Sequence, residues 1–414
     1  MIILMHDGPF TTTPAPSNRV LSIDVLRGIT IAFMILVNDP GDWGHTYEQL
    51  DHAKWNGWTL TDLVFPSFLF LVGASIILSL TGRIARGDSR RDLGLHIVRR
   101  SITIFVLAMV LNLIPYFHFT HLRLYGVLSR IALCYLCAGL ICLVTQRARN
   151  LLAIAAALLI GYWMLMRFVP VPGFGVPVRD FPLLDPYRNL VAWVDRGVMG
   201  FLQRTIHTGV LYEGTRDPEG LLSTIPAVAT TLLGSVASLW LRLVGPTKEG
   251  KFTINKAQCA IGLFLAGVVS IAAGLLWNIW FPINKNLWTS SYVLFAAGCS
   301  LVGLALCYWL IDIQRFHETK VGRVLTWPWL VFGSNAIVAF TVSFLLVKLL
   351  IFITFSSTLG PNGKPLSAWG WIYSNLFARG NSTNLTSLAF AICFVVACFI
   401  PNWILWRKRM FVKI

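Results

Sequence analysis

Ten apolar runs of about twenty residues each divide this 414-residue chain, and nothing constrains its fold more. A helix needs about 20 apolar residues to cross a bilayer, and a helix satisfies every backbone polar group within one run. The runs lie near residues 20–38, 61–81, 98–115, 126–145, 150–169, 221–242, 257–280, 290–311, 329–354 and 385–406. They predict an all-α, polytopic integral membrane protein embedded in a lipid bilayer. Composition agrees: 56% of residues are hydrophobic and 13% charged, too little polar surface to cover a soluble domain.

The net charge is +16 and the pI near 9.8. Such a charge can mark a nucleic-acid binder. Here the basic residues sit mainly in short loops between spans, so the positive-inside rule explains them and no nucleic acid is expected. Ten spans put both termini on one side. That side's segments hold 20 Lys and Arg against 10 on the other, and Arg27, Arg130, Arg167 and Lys348 fall within spans. The bias predicts cytoplasmic termini. A head (1–19) and a basic tail (407–414) would flank a transmembrane domain (20–406). Its long outward loop, near 170–220, carries VPVRDFPLLDPYRN and DPEG and reads as a partly folded substrate platform. No cleavable signal peptide is visible, because a polar, Pro- and Thr-rich head precedes the first span. All eight cysteines, the Cys134/Cys137 pair included, lie in apolar runs, which predicts packing roles without disulfides or zinc.

Chemistry concentrates in residues 51–66, DHAKWNGWTLTDLVFP. A lone interfacial His usually bonds a loop carbonyl. His52 has Asp51 beside it, Asn38 at the end of the preceding span and Asp62 at the start of the next. An imidazole with a carboxylate partner is the arrangement of a general base near neutral pH. Asp62 also reads as a helix cap, since Thr59-Leu-Thr-Asp62 resembles a capping box. The two roles are compatible.

Asp24 and Arg27 lie three residues apart at the inner edge of the first span, an ordinary i,i+3 pair or snorkelling Arg. The functional reading is that Arg27 faces a polar cavity and helps hold an anionic cofactor. Arg130 lies about four residues into its span, where a charge is costly unless paired or solvated, so it is expected to line a cavity. His118 and His121 lack a third ligand at recognisable spacing, so no metal site is expected. His207 and PINKNLWTSSY (282–292) are further outward signals. No dinucleotide, P-loop, nucleophile-elbow or HExxH motif occurs in a workable context.

The segments SIDVLRGITIAFMILVN, HAKWNGWTLTDLVFPSFLFLVGAS, GVLSRIALCYL, DPEGLLSTIPAVATTLLG and PINKNLWTSSYVL together resemble the heparan-α-glucosaminide N-acetyltransferase family. The resemblance covers nearly the whole membrane core. The animal enzymes add a luminal N-terminal domain and one more helix, so this chain is expected to be a bacterial member lacking both. Within the wider transmembrane acyltransferases it is similar to the acyltransferase-3 enzymes, which share a D-x-L-R-G start. Those enzymes place a His eleven residues after the Arg, where this chain has Asn38, and that departure favours His52 as the working imidazole.

The resemblance implies transfer of an acetyl group from cytoplasmic acetyl-CoA to the amine of a terminal glucosamine across the membrane. It places the family's active-site His on His52, its Asn on Asn38 and its Asp on Asp62. The loop joining Asn38 to His52 is a few residues longer than in the animal enzymes. The nucleotide end of acetyl-CoA would meet Arg27 and the 83–100 loop at the inner face. Arg130 and Asn38 are the other expected donor-binding residues. His52 would deprotonate the amine or carry the acetyl group itself, and Asn38 would donate to the thioester oxygen. Two rivals stay open: an O-acetyltransferase of envelope sugars, and a proton-coupled secondary transporter or flippase using Arg130 and Lys348. A homodimer and the size of the sugar acceptor are also left open.

Overall fold

The computed structural model describes residues 2–4, 20–245, 253–359 and 365–412. Most of the 1–19 head lies outside the described residues, as do Arg19, Lys248, Lys251, Lys364 and Lys413 of the charge comparison. Among the described residues the helices are α1 (Leu21–Asn38), α2 (Val64–Ala85), α3 (Arg90–Leu113), α4 (Val127–Val144), α5 (Ala148–Phe168) and α6 (Leu190–Ile206). They continue as α7 (Thr224–Leu241), α8 (Lys256–Trp277), α9 (Ser290–Cys307), α10 (Lys320–Ser334), α11 (Ala336–Phe352), α12 (Ala368–Ile372) and α13 (Asn384–Arg407). Strand β1 (Ile2–Leu4) pairs antiparallel with β4 (Met410–Val412), and β2 (Thr354–Leu359) pairs with β3 (Pro365–Ser367).

Nine helical segments among the described residues are long and apolar enough to cross a membrane, and the bent pair α10–α11 supplies a tenth candidate. The chain is an all-α, multi-pass membrane protein. Two expectations change in detail. The ninth apolar run is not one straight helix: α10 and α11 meet at 81°. Asn335 sits at the break in a non-helical conformation. Its amide nitrogen donates to Met410 O at 3.1 Å and its oxygen accepts from Val412 N at 2.9 Å. The second change concerns the 83–100 stretch, which is mostly helix rather than loop. α3 starts at Arg90 because Ser89 caps it, its hydroxyl oxygen accepting from Asp92 N at 3.1 Å.

The chain divides into two compact units. The first comprises residues 1–52, 59–64 and 310–414. In it α1 packs on α10 with backbones in direct contact: a Cβ on Gly28 would fall 1.8 Å from Trp329 O. Only glycine permits that approach, the usual way helices associate closely in lipid. The packing fixes the direction in which α1 delivers Asn38 and the loop beyond it.

The second unit comprises residues 53–58 and 65–309. α7 is its centre, and Ser235 and Ser238 of α7 donate to Gly73 O and Ala74 O of α2 at 3.0 and 2.9 Å. Helices α3 and α8 present exposed apolar faces, Ile102, Val106 and Val110 on one and Ile261, Leu265 and Val269 on the other, as lipid contact requires. The 170–220 region is folded. α6 lies in it, and Val171, Phe181, Leu184, Leu190 and Val191 form a core with Tyr162 and Met166 of α5.

Candidate functional site

The loop after α1 doubles back on itself before reaching His52. Gly41 N donates to Ser387 O, and the Ser387 hydroxyl bonds Asp42 O, which ties the loop to α13. Asp42 Oδ2 accepts from Ser382 Oγ at 2.6 Å and lies 2.8 Å from His45 Nδ1. The Ser382 hydroxyl, with Gly44 N–H and His45, holds the Asp42 carboxyl below the usual carboxylate range against the opposing effect of burial. A 3-10 turn at Glu48–Leu50 then brings the chain to Asp51 and His52.

His52 and Asp62 meet. Nδ1 of the imidazole lies 2.7 Å from Asp62 Oδ1. Asp62 is on a 3-10 turn, Thr61–Leu63, immediately ahead of α2. Its side chain is 1% exposed, whereas the His52 side chain is 39% exposed. A buried carboxylate behind a half-open imidazole fixes the ring's tautomer: the carboxylate accepts, so Nδ1 carries the proton and Nε2 the lone pair. The other oxygen, Asp62 Oδ2, accepts from Thr59 N at 3.1 Å and Thr59 Oγ1 at 3.2 Å. Thr59 Oγ1 also reaches Asp51 O at 2.6 Å, and Gln49 bonds Leu60 N and Thr61 Oγ1. One oxygen of the carboxylate thus meets the imidazole while the other holds Thr59; Leu60, not Thr59, stands at the N-cap of the Thr61–Leu63 turn, which has no side-chain cap bond. Asp51 serves the backbone instead, its Oδ1 accepting from His52 N at 2.7 Å.

Asn38 is the last residue of α1, exposed, and its side chain makes no hydrogen bond among the described residues. Arg27 pairs with Asp24 as its spacing suggests, Nη2 to Oδ1 at 2.5 Å, while its buried Nε has no hydrogen-bond partner among the described residues.

Arg130 belongs to the second unit and is 1% exposed. Its Nη2 donates to Gly220 O at 2.9 Å and to Ser223 Oγ, and its guanidinium lies 4.9 Å from the centre of the Trp288 ring. Asp195 of α6, fully buried, accepts from Leu221 N at 3.0 Å through Oδ1. Sequence reasoning missed Asp195. Its signal was position: with Leu190, Val191, Ala192 and Met199 it lies on the buried stripe of α6, where a carboxylate is out of place. Burial pushes its carboxyl up to about 7, against the Leu221 N–H bond, with Asp217 adding to the rise.

In the same unit the WNGW segment is pinned by the PINKN loop. Asn284 Nδ2 donates to Trp55 O at 2.9 Å, Gly57 N donates to Ile283 O at 2.8 Å, and Arg216 lies over the Trp55 ring. DPEG supplies Asp217 and Glu219 as partners of Arg123, at 2.7 and 2.6 Å. His118 stacks on Tyr116 and His121 bonds Thr120. His207 is the left-handed C-cap of α6. All eight cysteines are free thiols.

A family model described as heparan-α-glucosaminide N-acetyltransferase, catalytic, matches residues 19–200, which include Asn38, His52, Asp62, Arg130 and Asp195. The heparan-α-glucosaminide N-acetyltransferase of Homo sapiens is 28% identical over 335 residues, 72% of this chain and 49% of the human protein. That of Mus musculus is 28% identical over 342 residues, 73% of this chain and 51% of its own length. The chain thus spans about half the length of these curated relatives. In that matched segment and in these two relatives, the chain is similar to the heparan-α-glucosaminide N-acetyltransferase family.

Proposed function

We propose that this chain is a membrane acetyltransferase, moving an acetyl group from cytoplasmic acetyl-CoA to the amine of a glucosamine-type sugar on the periplasmic side of a bacterial inner membrane. The observation that carries this reading is the half-open imidazole of His52 set 2.7 Å from the buried carboxylate of Asp62. A glucosamine amine is an ammonium until a base takes its proton. His52 Nε2 is that base, and Asp62 stabilises the imidazolium that forms. The amine nitrogen bonds to the acetyl carbon, the carbon–sulfur bond breaks, the thiolate leaves with the proton returned from His52, and the second proton shed by the nitrogen passes to solvent. The Asn38 amide donates to the thioester oxygen as charge builds there.

Arg27 and Arg130 are the proposed donor-binding cations. Each has a buried guanidinium N–H without a partner among the described residues, which suits an anionic or carbonyl-rich ligand. Both termini are assigned to the cytoplasm, with residues 1–19 as head, 20–406 as transmembrane domain and 407–414 as tail. The Lys and Arg bias supports this, and so does the pairing of β1 with β4, which joins the two ends of the chain. The folded 170–220 region is the proposed platform for the sugar.

The test is thiol release from acetyl-CoA by purified protein in detergent, with glucosamine, glucosamine-terminated oligosaccharides and hydroxyl-only sugars as acceptors. Release with amino sugars, yielding the N-acetyl product, is expected. Release with hydroxyl-only sugars alone would assign an O-acetyltransferase. No release with any acceptor would remove the enzyme reading.

A further inference from the structure

Arg130 and Asp195 hold the two ends of a single peptide unit. Arg130 Nη2 donates to the carbonyl of Gly220, and Asp195 Oδ1 accepts the N–H of Leu221, the other half of the Gly220–Leu221 amide. The fit is close: a Cβ on Gly220 would lie 2.0 Å from Asp195 Oδ2, so only glycine lets the carboxylate sit against this peptide.

That peptide uses half of each side chain. Among the described residues, Arg130 Nε and Nη1 and Asp195 Oδ2 are buried without hydrogen-bond partners, as are the Tyr125 hydroxyl and Ser129 Oγ on the adjoining turn of chain. Arg130 and Asp195 are 1% and 0% exposed. An unmet buried polar group is costly, and a fold rarely gathers several without a further use. The unused atoms repeat the pattern of the used ones, N–H donors on the arginine and an oxygen acceptor on the aspartate. They match what the same residues already bind, a secondary amide with a carbonyl on one side and an N–H on the other.

We propose that Arg130 and Asp195 form a binding site for a secondary amide of the acetyl donor, one of the two amides in the pantetheine arm of acetyl-CoA. This rests on the acetyl-CoA reading above. The amide's carbonyl accepts from Arg130 Nε or Nη1, and its N–H donates to Asp195 Oδ2. An N–H at Oδ2 favours the ionised carboxylate that burial alone disfavours. The Gly220–Leu221 turn, opening α7, is the template that holds the two side chains at amide spacing.

The experiment measures dissociation constants of the full-length protein in detergent for CoA, pantetheine (amides without nucleotide) and 3′-phospho-ADP (nucleotide without amides). Asp195→Asn is close to isosteric: its oxygen keeps the Leu221 N–H while an NH2 replaces Oδ2 and rejects the ligand N–H. Asp195→Asn and Arg130→Lys should each weaken CoA and pantetheine about 10- to 100-fold, the cost of a lost bond and an unmet buried partner. Affinity for 3′-phospho-ADP should be unchanged, which also shows that the variants are folded. Equal weakening of all three probes, or unchanged pantetheine affinity with a lowered melting temperature, would make the pair a structural clamp and overturn the proposal. No binding of CoA by the unaltered protein would overturn the acetyl-CoA reading itself, and this inference with it.

Discussion

His52 Nδ1 lies 2.7 Å from Asp62 Oδ1, and the second oxygen of that carboxylate is held by the backbone N–H of Thr59. The imidazole thus meets a carboxylate whose other oxygen is fixed by Thr59. A hydrogen bond to an ionised acceptor is roughly twice as strong as a neutral one, and here the carboxylate is out of water.

Asp62→Asn separates anchoring from orientation. The amide has one oxygen, and if that oxygen keeps the Thr59 N–H, its NH2 faces His52. Nδ1 must then present its lone pair, the ring proton moves to Nε2, and the base is lost. Turnover should fall at least ~10²-fold, as when an orienting carboxylate is lost from other His-dependent enzymes, with a nearly unchanged melting temperature. Turnover and melting are to be measured on one preparation. Parallel loss of both would leave Asp62 a purely structural role.

Asp51→Asn should be mild. Asp51 accepts the backbone N–H of His52 rather than the ring, and an amide oxygen accepts that bond as well. Changing a charged acceptor for a neutral one here costs about 1 kcal/mol, so turnover should stay within about tenfold. A loss as deep as that of Asp62→Asn would identify Asp51 as the working carboxylate.

The His52–Asp62 pair was legible because both residues fall in one short polar stretch between two spans, and the spans because each run is long enough to cross. The break at Asn335 was not legible. A single Asn in an apolar run does not end a helix; this one does because residues 410–412, far along the chain, take both ends of its amide. Arg130 drew notice on charge alone. Its partners, Gly220 and Ser223, lie about ninety residues away, and no local pattern announces them. Asp195 was visible only through its place on the stripe of α6.

Asp195 gives stability a pH dependence of definite sign. Its carboxyl titrates at about 7 in the fold, above the ordinary 3.8, with burial the main cause. The folded state therefore holds this proton more tightly than the unfolded chain does. The stabilisation is complete below about 3.8 and is lost as pH rises through about 7. Melting temperature should decline across that window and level off above it, and Asp195→Asn should be flatter. An unaltered slope in the variant would assign the titration elsewhere.

The proposed sidedness rests on the charge bias and is open to direct labelling. Lys54 and Arg90 are both exposed. Lys54→Cys should react with an impermeant thiol reagent on intact cells, and Arg90→Cys only after permeabilisation, in a background with reactive native cysteines removed. The reverse pattern would invert the topology and the direction of acetyl transfer.

The most direct measurement is acetylation of glucosamine by His52→Ala, set beside its affinity for acetyl-CoA. Donor binding should stay close to that of the unaltered protein while turnover falls at least ~10²–10⁴-fold, the contribution of a positioned general base. Near-normal turnover in a folded, donor-binding His52→Ala protein would rule out His52 as the base.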